Sequence, residues 1–318
     1  ADGIAVRLST KILPHNFCEL IDASIKYLKG KKFEIFPDFQ TGGMIDVSGY
    51  NEGKRGGKVR VRAHIEELDK KTLVIKDVPY GVTTTQLMES ITKANDQGKI
   101  KIKKVTDVTA AAVEIHIDLA PGISPDITID ALYAFTDCEV SISPNACVIV
   151  DEKPQFIGIA EILRVSTDQT VELLKQELEI RRGELMERLL FSSLEKIFIE
   201  NRIYRDIEEC ETFESVIAMV DKGLEPYKKD FYREIVEDDI LRLLEIRIKR
   251  ISKFDSFKAD EAMKRLQDEL AEVEDNLANL IRYAIDYFKN LLQKYGKGRE
   301  RKTEIKSFNT ITATVVAQ

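Results

Sequence analysis

Basic side chains are concentrated between residues 54 and 62, where their type and spacing could do chemistry. Five positive charges fall within nine residues, with no acidic residue among them: Lys54, Arg55, Lys58, Arg60 and Arg62. Residues 58–65 alternate apolar and basic types, which predicts a half-buried strand with its basic side chains on one face. Such a face suits phosphate-backbone contacts. The alternatives are a solvated strand face or a sheet edge protected by lysine.

Motifs that would indicate catalysis or metal binding are missing from the sequence. It contains no HExxH, GxSxG or Asp-x-Asp motif, and the glycine spacing of Gly53–Lys58 does not match a phosphate-binding loop. The four cysteines form no CxxC pair, which argues against a zinc site and favours reduced thiols. We therefore expect no metal site and no catalytic residue in this chain.

The overall composition favours a folded, acidic protein. The 318 residues carry 48 basic and 55 acidic side chains, a formal net charge of −7, and 43% of them are apolar. This apolar fraction excludes global disorder. No stretch approaches the ~20 uninterrupted apolar residues of a membrane span, and no signal segment precedes the first residues. We expect a cytoplasmic protein with no membrane partner.

The first half, residues 1–150, is predicted to be an α+β domain with a mostly antiparallel sheet. Eleven of the 16 glycines and six of the 8 prolines lie there, so this half must turn often. Alternating apolar and polar residues predict strands, and apolar residues at helical spacing predict two helices, Thr83–Ala94 and Asp126–Phe135. The predicted strands are 58–65, 72–77, 99–105, 112–119, 138–143 and 146–150. The strand at 99–105 carries a second basic group: Lys99, Lys101, Lys103 and Lys104.

The second half, residues 151–318, is predicted to be a long antiparallel coiled coil with a helical cap. Residues 266–291 place apolar side chains at alternating spacings of four and three, a heptad pattern kept for about four heptads. A similar stripe runs through 171–189, so 197–254 would form a cap at the far tip. A compact helical bundle is the alternative reading of the same stripes.

One stretch of the cap is unusually apolar for a tip far from the main core. An exposed apolar patch there would need a partner, and a homodimer contact is the economical one. The residues expected in that contact are Leu244, Ile246, Ile248 and Ile251.

Several short motifs, in order along the chain, resemble those of the gyrase A and topoisomerase IV A family, the breakage-reunion subunits of bacterial type IIA DNA topoisomerases. The matching stretches are Gly3–Val6 (family GIAV), Leu13–Asn16 (PPHN), Phe39–Gly43 (FPTGG), Pro79–Val82 (IPY), Leu243–Ile251 (ILDLRLQKL) and Arg301–Ile305 (RRTEI). One departure is Arg7, which stands where the family's GIAVG motif has glycine.

The resemblance implies a division of labour along the chain. Residues 1–150 would be the tower domain, and residues 151–318 the coiled coil with the C-gate, through which a homodimer forms. Ile4 would insert between base pairs of double-stranded DNA and kink it. The neighbouring residues expected to contact DNA are Arg7, Lys11, His15 and Asn16, together with the basic stretch from Lys54 to Arg62.

The resemblance also assigns the catalytic parts elsewhere. The family's nucleophilic tyrosine belongs to an upstream winged-helix domain, and Mg²⁺ and ATP are bound through the B subunit. We therefore expect no cofactor here, and we expect the chain alone neither to cleave nor to relax DNA, although the parent would be an ATP-dependent topoisomerase associated with the nucleoid. The sequence does not separate gyrase from topoisomerase IV.

Two other functions remain open on the sequence. The chain could be a non-enzymatic coiled-coil interaction or scaffold protein with no DNA role, or an α+β metabolic enzyme, for which it lacks a catalytic constellation. A steep salt dependence of duplex binding separates the topoisomerase reading from the scaffold reading, because neutralised phosphates produce it.

Overall fold

The computed structural model describes residues 1–308, which fall into two compact units. Unit 1 comprises residues 1–168 together with the chain from Ile285 onward, and unit 2 comprises residues 169–284. Unit 1 is therefore completed by a segment that returns after unit 2. The predicted domain boundary at residue 150 stays a prediction.

Unit 1 begins with an antiparallel hairpin followed by a helix. Strands β1 (Asp2–Ala5) and β2 (Leu8–Lys11) pair with each other, and helix α1 spans Phe17–Leu28. The helix begins after Asn16 because the side-chain oxygen of Asn16 accepts a hydrogen bond from the backbone N–H of Glu19, which the first turn leaves unpaired.

Two four-stranded sheets form the centre of unit 1. The first has the order β12–β3–β4–β9 and is antiparallel except for the parallel pair of β12 with β3. Its strands are β3 (Met44–Asp46), β4 (Val59–Arg62), β9 (Glu139–Ile142) and β12 (Glu304–Ile305). Ile45, Val59 and Val61 are fully buried in its core.

The second sheet is antiparallel throughout and has the order β5–β6–β8–β7. Its strands are β5 (Ile65–Asp69), β6 (Thr72–Ile75), β7 (Ile102–Asp107) and β8 (Ile115–Leu119). Helices α2 (Thr84–Asp96) and α3 (Pro125–Phe135) contribute Leu87, Ile91 and Leu132 to its core. A small hairpin of β10 (Val148–Val150) and β11 (Lys153–Gln155) follows β9.

The α+β class with antiparallel sheets is confirmed, and one strand prediction is wrong. The predicted strand 58–65 is two strands, because β4 ends at Arg62 and β5 begins at Ile65 in the other sheet. The backbone N–H of His64 is bonded to a carboxylate oxygen of Asp77, at 2.7 Å, rather than to a neighbouring strand.

Unit 2 is helical and is formed mainly by long helices. Helix α4 runs from Ile159 to Glu200, and its residues from 169 onward belong to unit 2. The remaining helices are α5 (Phe213–Leu224), α6 (Glu237–Leu244), α7 (Ile248–Ser252), α8 (Ser256–Ala278) and α9 (Leu280–Tyr295), with 3-10 turns at Ile203–Glu209 and Glu225–Asp230. No helix within residues 1–308 is long and apolar enough to cross a membrane.

Helices α4 and α8 contact each other in opposite directions. Leu178 and Leu185 of α4 pack in one apolar cluster with Val273 of α8. Lys196, later in α4, pairs with Asp260, earlier in α8. This reversed order is the arrangement expected of the two predicted stripes. Supercoiling of the pair stays a prediction.

The predicted uninterrupted helix across 266–291 is wrong in one detail. Asn279 interrupts it with φ −122° and ψ 49°, so that α8 ends at Ala278 and α9 begins at Leu280. The Asn279 side-chain amide donates to the backbone oxygen and the carboxylate of Asp275, at 3.0 and 3.1 Å. An asparagine that bonds locally in this way competes with regular helix hydrogen bonding.

Candidate nucleic-acid interface

The β1–β2 hairpin presents apolar side chains to solvent. Ile4 is 91% exposed and Val6 is 89% exposed, although a large aliphatic side chain is normally buried. Arg7 occupies the turn with φ 63°, a left-handed conformation that glycine adopts without steric cost. Arginine thus keeps the backbone conformation that suits the family's glycine, and it adds an exposed charge beside Ile4.

Hydrogen bonds through Asn145 connect this hairpin to the basic loop at residues 54–58. The backbones of Lys11 and Asn145 exchange two hydrogen bonds of 2.8 and 2.9 Å, and the Asn145 side chain donates to the Ser9 carbonyl at 2.8 Å. The next residue, Ala146, donates its backbone N–H to the carbonyl of Gly53 at 2.9 Å. The hairpin and the start of the basic loop therefore lie on one continuous surface.

The basic loop holds three exposed cations on a constrained backbone. Lys54, Arg55 and Lys58 are exposed, and only Lys54 has an ion-pair partner among residues 1–308, Glu52 at 3.7 Å. A Cβ at Gly57 would lie 2.4 Å from the carbonyl oxygen of Tyr50, so only glycine fits there. The tight loop fixes where its cations emerge.

Arg60 and Arg62 differ from the predicted solvent-facing basic strand, because both are engaged inside unit 1. Arg62 is only 8% exposed, pairs with Glu139 at 2.5 Å, and lies over the Phe308 ring at 4.2 Å. Arg60 pairs with Asp46 at 3.1 Å and with Glu139 at 3.7 Å. The strand face predicted to be solvated is thus covered by acidic and aromatic side chains.

Asp46 gives this internal cluster a lasting negative charge. Burial alone would raise its pKa, but hydrogen bonds from Phe308, Ser48 and Arg60 outweigh burial and lower the pKa to about 2. The carboxylate therefore stays ionised beside Arg60, and the distribution of free positive charge centres on the loop rather than on β4.

His15 and Asn16 have structural roles in unit 1. His15 donates Nδ1–H to the Leu13 carbonyl at 2.8 Å, so its Nε2 accepts from the Tyr50 hydroxyl at 3.1 Å. Burial lowers the pKa of His15, which favours this neutral tautomer. Asn16 caps α1 and also donates to the Arg299 carbonyl at 2.8 Å.

The motifs that carry the family resemblance meet at one junction in unit 1. Arg301 pairs with Glu19 at 2.6 Å and donates to the Phe36 and Pro37 carbonyls. Thr303 is fully buried and its hydroxyl accepts from the backbone N–H of Phe39 at 2.8 Å. The segment near 301–305 and the segment near 36–43 are thus one structural feature, although about 260 residues separate them.

The four predicted dimer residues of the cap are not equivalent. Leu244, Ile246 and Ile251 are partly buried and pack against the core of the cap itself. Ile248, the first residue of α7, is 83% exposed. Ile248 is the predicted contact residue whose side chain is free to meet a partner.

Within residues 1–308 no three His, Cys, Asp or Glu side chains are grouped so that they could hold a metal ion. Sequence reasoning missed Asn145, whose bonds join the hairpin to the loop. Its position within a Pro-Asn turn between two predicted strands was the available signal.

Comparisons with known proteins agree with the arrangement of motifs. The model of the DNA gyrase/topoisomerase IV A-subunit family matches residues 1–289. The A chain of DNA topoisomerase 4 from Borreliella burgdorferi is 37% identical over 305 residues, which cover 96% of this chain and 48% of that protein. The gyrase A protein of Brachyspira hyodysenteriae is 26% identical over 332 residues, covering 95% and 38%.

A third relative, the gyrase A protein of Lawsonia intracellularis, is 28% identical over 299 residues, covering 88% of this chain and 35% of the relative. The chain thus spans about half or less of the length of the curated relatives it matches. The family model covers most of the chain and the identity to one relative is high over nearly its whole length, so the chain belongs to the DNA gyrase/topoisomerase IV A-subunit family.

Proposed function

We propose that this chain supplies the DNA-binding and exit-gate part of a type IIA DNA topoisomerase. The parent protein would change DNA topology by ATP-dependent double-strand passage, with Mg²⁺ and ATP bound through a B subunit and with the nucleoid as its site of action. The chain's own contribution would be to bend one duplex on unit 1 and to close an exit gate at the cap of unit 2.

The observation that carries the proposal is the exposed Ile4 beside free positive charge. An aliphatic side chain that leaves solvent by entering a base step unstacks it at a cost of a few kcal/mol, and further phosphate contacts along the bent duplex offset that cost. Arg7 and the loop cations Lys54, Arg55 and Lys58 are exposed and could make those contacts. Arg60 and Arg62 are excluded from this set because they serve internal ion pairs.

The cap supports the second part of the proposal. Its apolar core is closed by its own residues, yet Ile248 remains exposed at the start of α7. A two-fold contact through this surface would repeat each interaction twice. Such a contact would hold two copies of the chain together while the DNA bound on unit 1 is open.

The experiment measures duplex binding and bending by variants of the 318-residue chain. Ile4→Ala should reduce bending, read by energy transfer between the duplex ends, while Val6→Ala, its matched exposed neighbour, should retain it. Neutralising Lys54, Arg55 and Lys58 to Gln should lower the slope of log affinity against log salt by about 2–3, at ~0.9 per lost phosphate contact.

The matched control for the loop neutralises three other exposed lysines of unit 1, Lys70, Lys71 and Lys93, and should leave the slope unchanged. Equal affinity and slope in the wild type and the loop variant would contradict the proposal. A chain that binds no duplex at low salt would instead support the scaffold function, in which the coiled coil and cap bind protein only.

A further inference from the structure

Positive charge in unit 2 is sorted into one short segment of the cap. Unit 2 contains 20 basic and 28 acidic residues, yet residues 247–258 contain five basic residues and one acidic residue. The rest of the unit is therefore strongly acidic. The five cations are Arg247, Lys249, Arg250, Lys253 and Lys258.

These cations surround a single recess. A depression of about 520 Å³ is lined by all five of them, with Phe254 and the alanines of the first turns of α8 among its other walls. Arg247, Lys249 and Lys253 are exposed, and none of the three has an ion-pair partner within residues 1–308. By contrast, the cations Arg181, Lys196, Lys228 and Arg233 of the same unit are all paired.

The acidic groups beside the recess are already engaged. The Asp255 carboxylate caps α8 by accepting the Lys258 backbone N–H at 3.2 Å. The Glu195 carboxylate, which is almost buried, is bonded by two nitrogens of the Arg250 guanidinium. The N-terminal end of the 23-residue helix α8 adds its partial positive charge to the same place. The recess is therefore short of negative charge, and an anionic ligand would supply it.

We propose that this recess, formed by Arg247, Lys249, Lys253 and Lys258, is a second contact surface for the phosphate backbone of duplex DNA. The inference rests on the proposed function, because a duplex that leaves through a gate at the cap would meet the cap's surface. Several flexible cations around an open depression suit repeated phosphates read without sequence preference. The contact would hold the departing duplex weakly and release it as salt rises.

The test measures the anisotropy of a labelled 20-base-pair duplex against the 318-residue chain as salt is raised. The cap variant carries Arg247→Gln, Lys249→Gln and Lys253→Gln. It should lower the slope of log affinity against log salt by about 2–3, at ~0.9 per contact. Its matched control neutralises one exposed arginine and two exposed lysines elsewhere in unit 2, Arg205, Lys222 and Lys229, and should keep the wild-type slope.

A charge-preserving variant separates electrostatics from damage to the cap. Arg247→Lys, Lys249→Arg and Lys253→Arg should retain the wild-type slope, with helix content by circular dichroism and mass by sedimentation unchanged. If this variant loses as much binding as the neutralised one, the contact is not electrostatic and the inference is overturned.

The remaining outcomes distinguish the inference from the proposed function. A cap variant that behaves like its control, while the loop variant of unit 1 binds weakly, overturns the inference and leaves the function standing. A cap variant that weakens binding, while the loop and Ile4 variants do not, supports the cap surface and contradicts the interface on unit 1. A cap variant that loses a polyglutamate peptide but binds duplex normally identifies an acidic protein as the ligand and overturns the inference.

Discussion

Arg62 shows how a residue that looks like a DNA contact becomes a structural one. A buried guanidinium is costly unless it is paired, and here Glu139 supplies the charge while the rings of Tyr133 and Phe308 lie 4.6 and 4.2 Å from the guanidinium carbon. Arginine suits this place because its planar group bonds at its edge and stacks on its faces. Its neighbour Lys58 has none of these partners and stays exposed.

His64 should make the stability of unit 1 depend on pH. Burial would lower its pKa, but hydrogen bonds to Asp77 at 2.6 Å and to Glu304 at 3.1 Å outweigh burial and raise it. A raised folded-state pKa means that this contribution is complete below the unfolded value of ~6.5 and is lost as pH rises through the folded value. The stability lost by His64→Gln should thus be larger at pH 6 than at pH 8.5, measured by urea unfolding.

The partner carboxylate offers the check on that assignment. Glu304 lies on β12, and Glu304→Gln should shrink the same pH-dependent difference because the imidazolium then has one carboxylate fewer. An identical loss for His64→Gln at both pH values would show that the imidazole stabilises unit 1 without its charge.

At the scale of elements, the contact between α4 and α8 should depend on a few fully buried side chains. Leu185 is completely buried in the cluster with Leu178 and Val273. Leu185→Ala should lower the free energy of unfolding by about 2–5 kcal/mol, because it removes buried methyl groups and leaves a cavity. Leu173→Ala is the matched control in the same helix, since Leu173 is 64% exposed and should change stability little.

Urea unfolding followed by circular dichroism measures both variants. If Leu173→Ala costs as much as Leu185→Ala, then Leu173 is buried in solution, most simply against a second copy of the chain. That result would move the predicted dimer contact from the cap to the outer face of α4.

Periodicity in the sequence predicted the elements that local residues determine. The strands near 72–77 and 112–119 and the helices near 83–94 and 126–135 were found within a few residues, because their apolar faces repeat at the right spacing. Helix α1 also had a readable signal, the Asn16 cap followed by amphipathic residues, which sequence reasoning overlooked.

Contacts distant in sequence could not be predicted in this way. Strand β12 pairs with β3 across about 260 residues, and Phe308 covers the strand face that alternation alone assigned to solvent. The basic loop survived as a candidate site because turns are exposed, whereas Arg60 and Arg62 on β4 did not. The predicted interface was therefore right about where charge is concentrated along the chain and wrong about which of those charges are free.

At the scale of the whole molecule, both units carry local basic surfaces within an acidic chain. The formal net charge is −7, so non-specific attraction to DNA would be weak without the loop at 54–58 and the segment at 247–258. Confining positive charge to these two surfaces would restrict the duplex to them and leave the acidic remainder to repel it.

Dimerisation through the cap is the last prediction, and it concerns Ile248. A second copy of the chain that covers this exposed side chain would gain about 1.5–3 kcal/mol for each isoleucine, and a two-fold contact contains two of them. Ile248→Asp should therefore give a monomer by sedimentation. Its helix content should be unchanged, because the side chain takes no part in the core of the cap.

Ile246→Asp is the informative comparison, since Ile246 packs against that core and its change should also lower the stability of the cap. A monomer with full helicity for Ile248→Asp, together with a destabilised cap for Ile246→Asp, would separate the gate contact from the fold that presents it. An Ile248→Asp chain that remains dimeric would place the interface elsewhere, most simply along the helices α4 and α8.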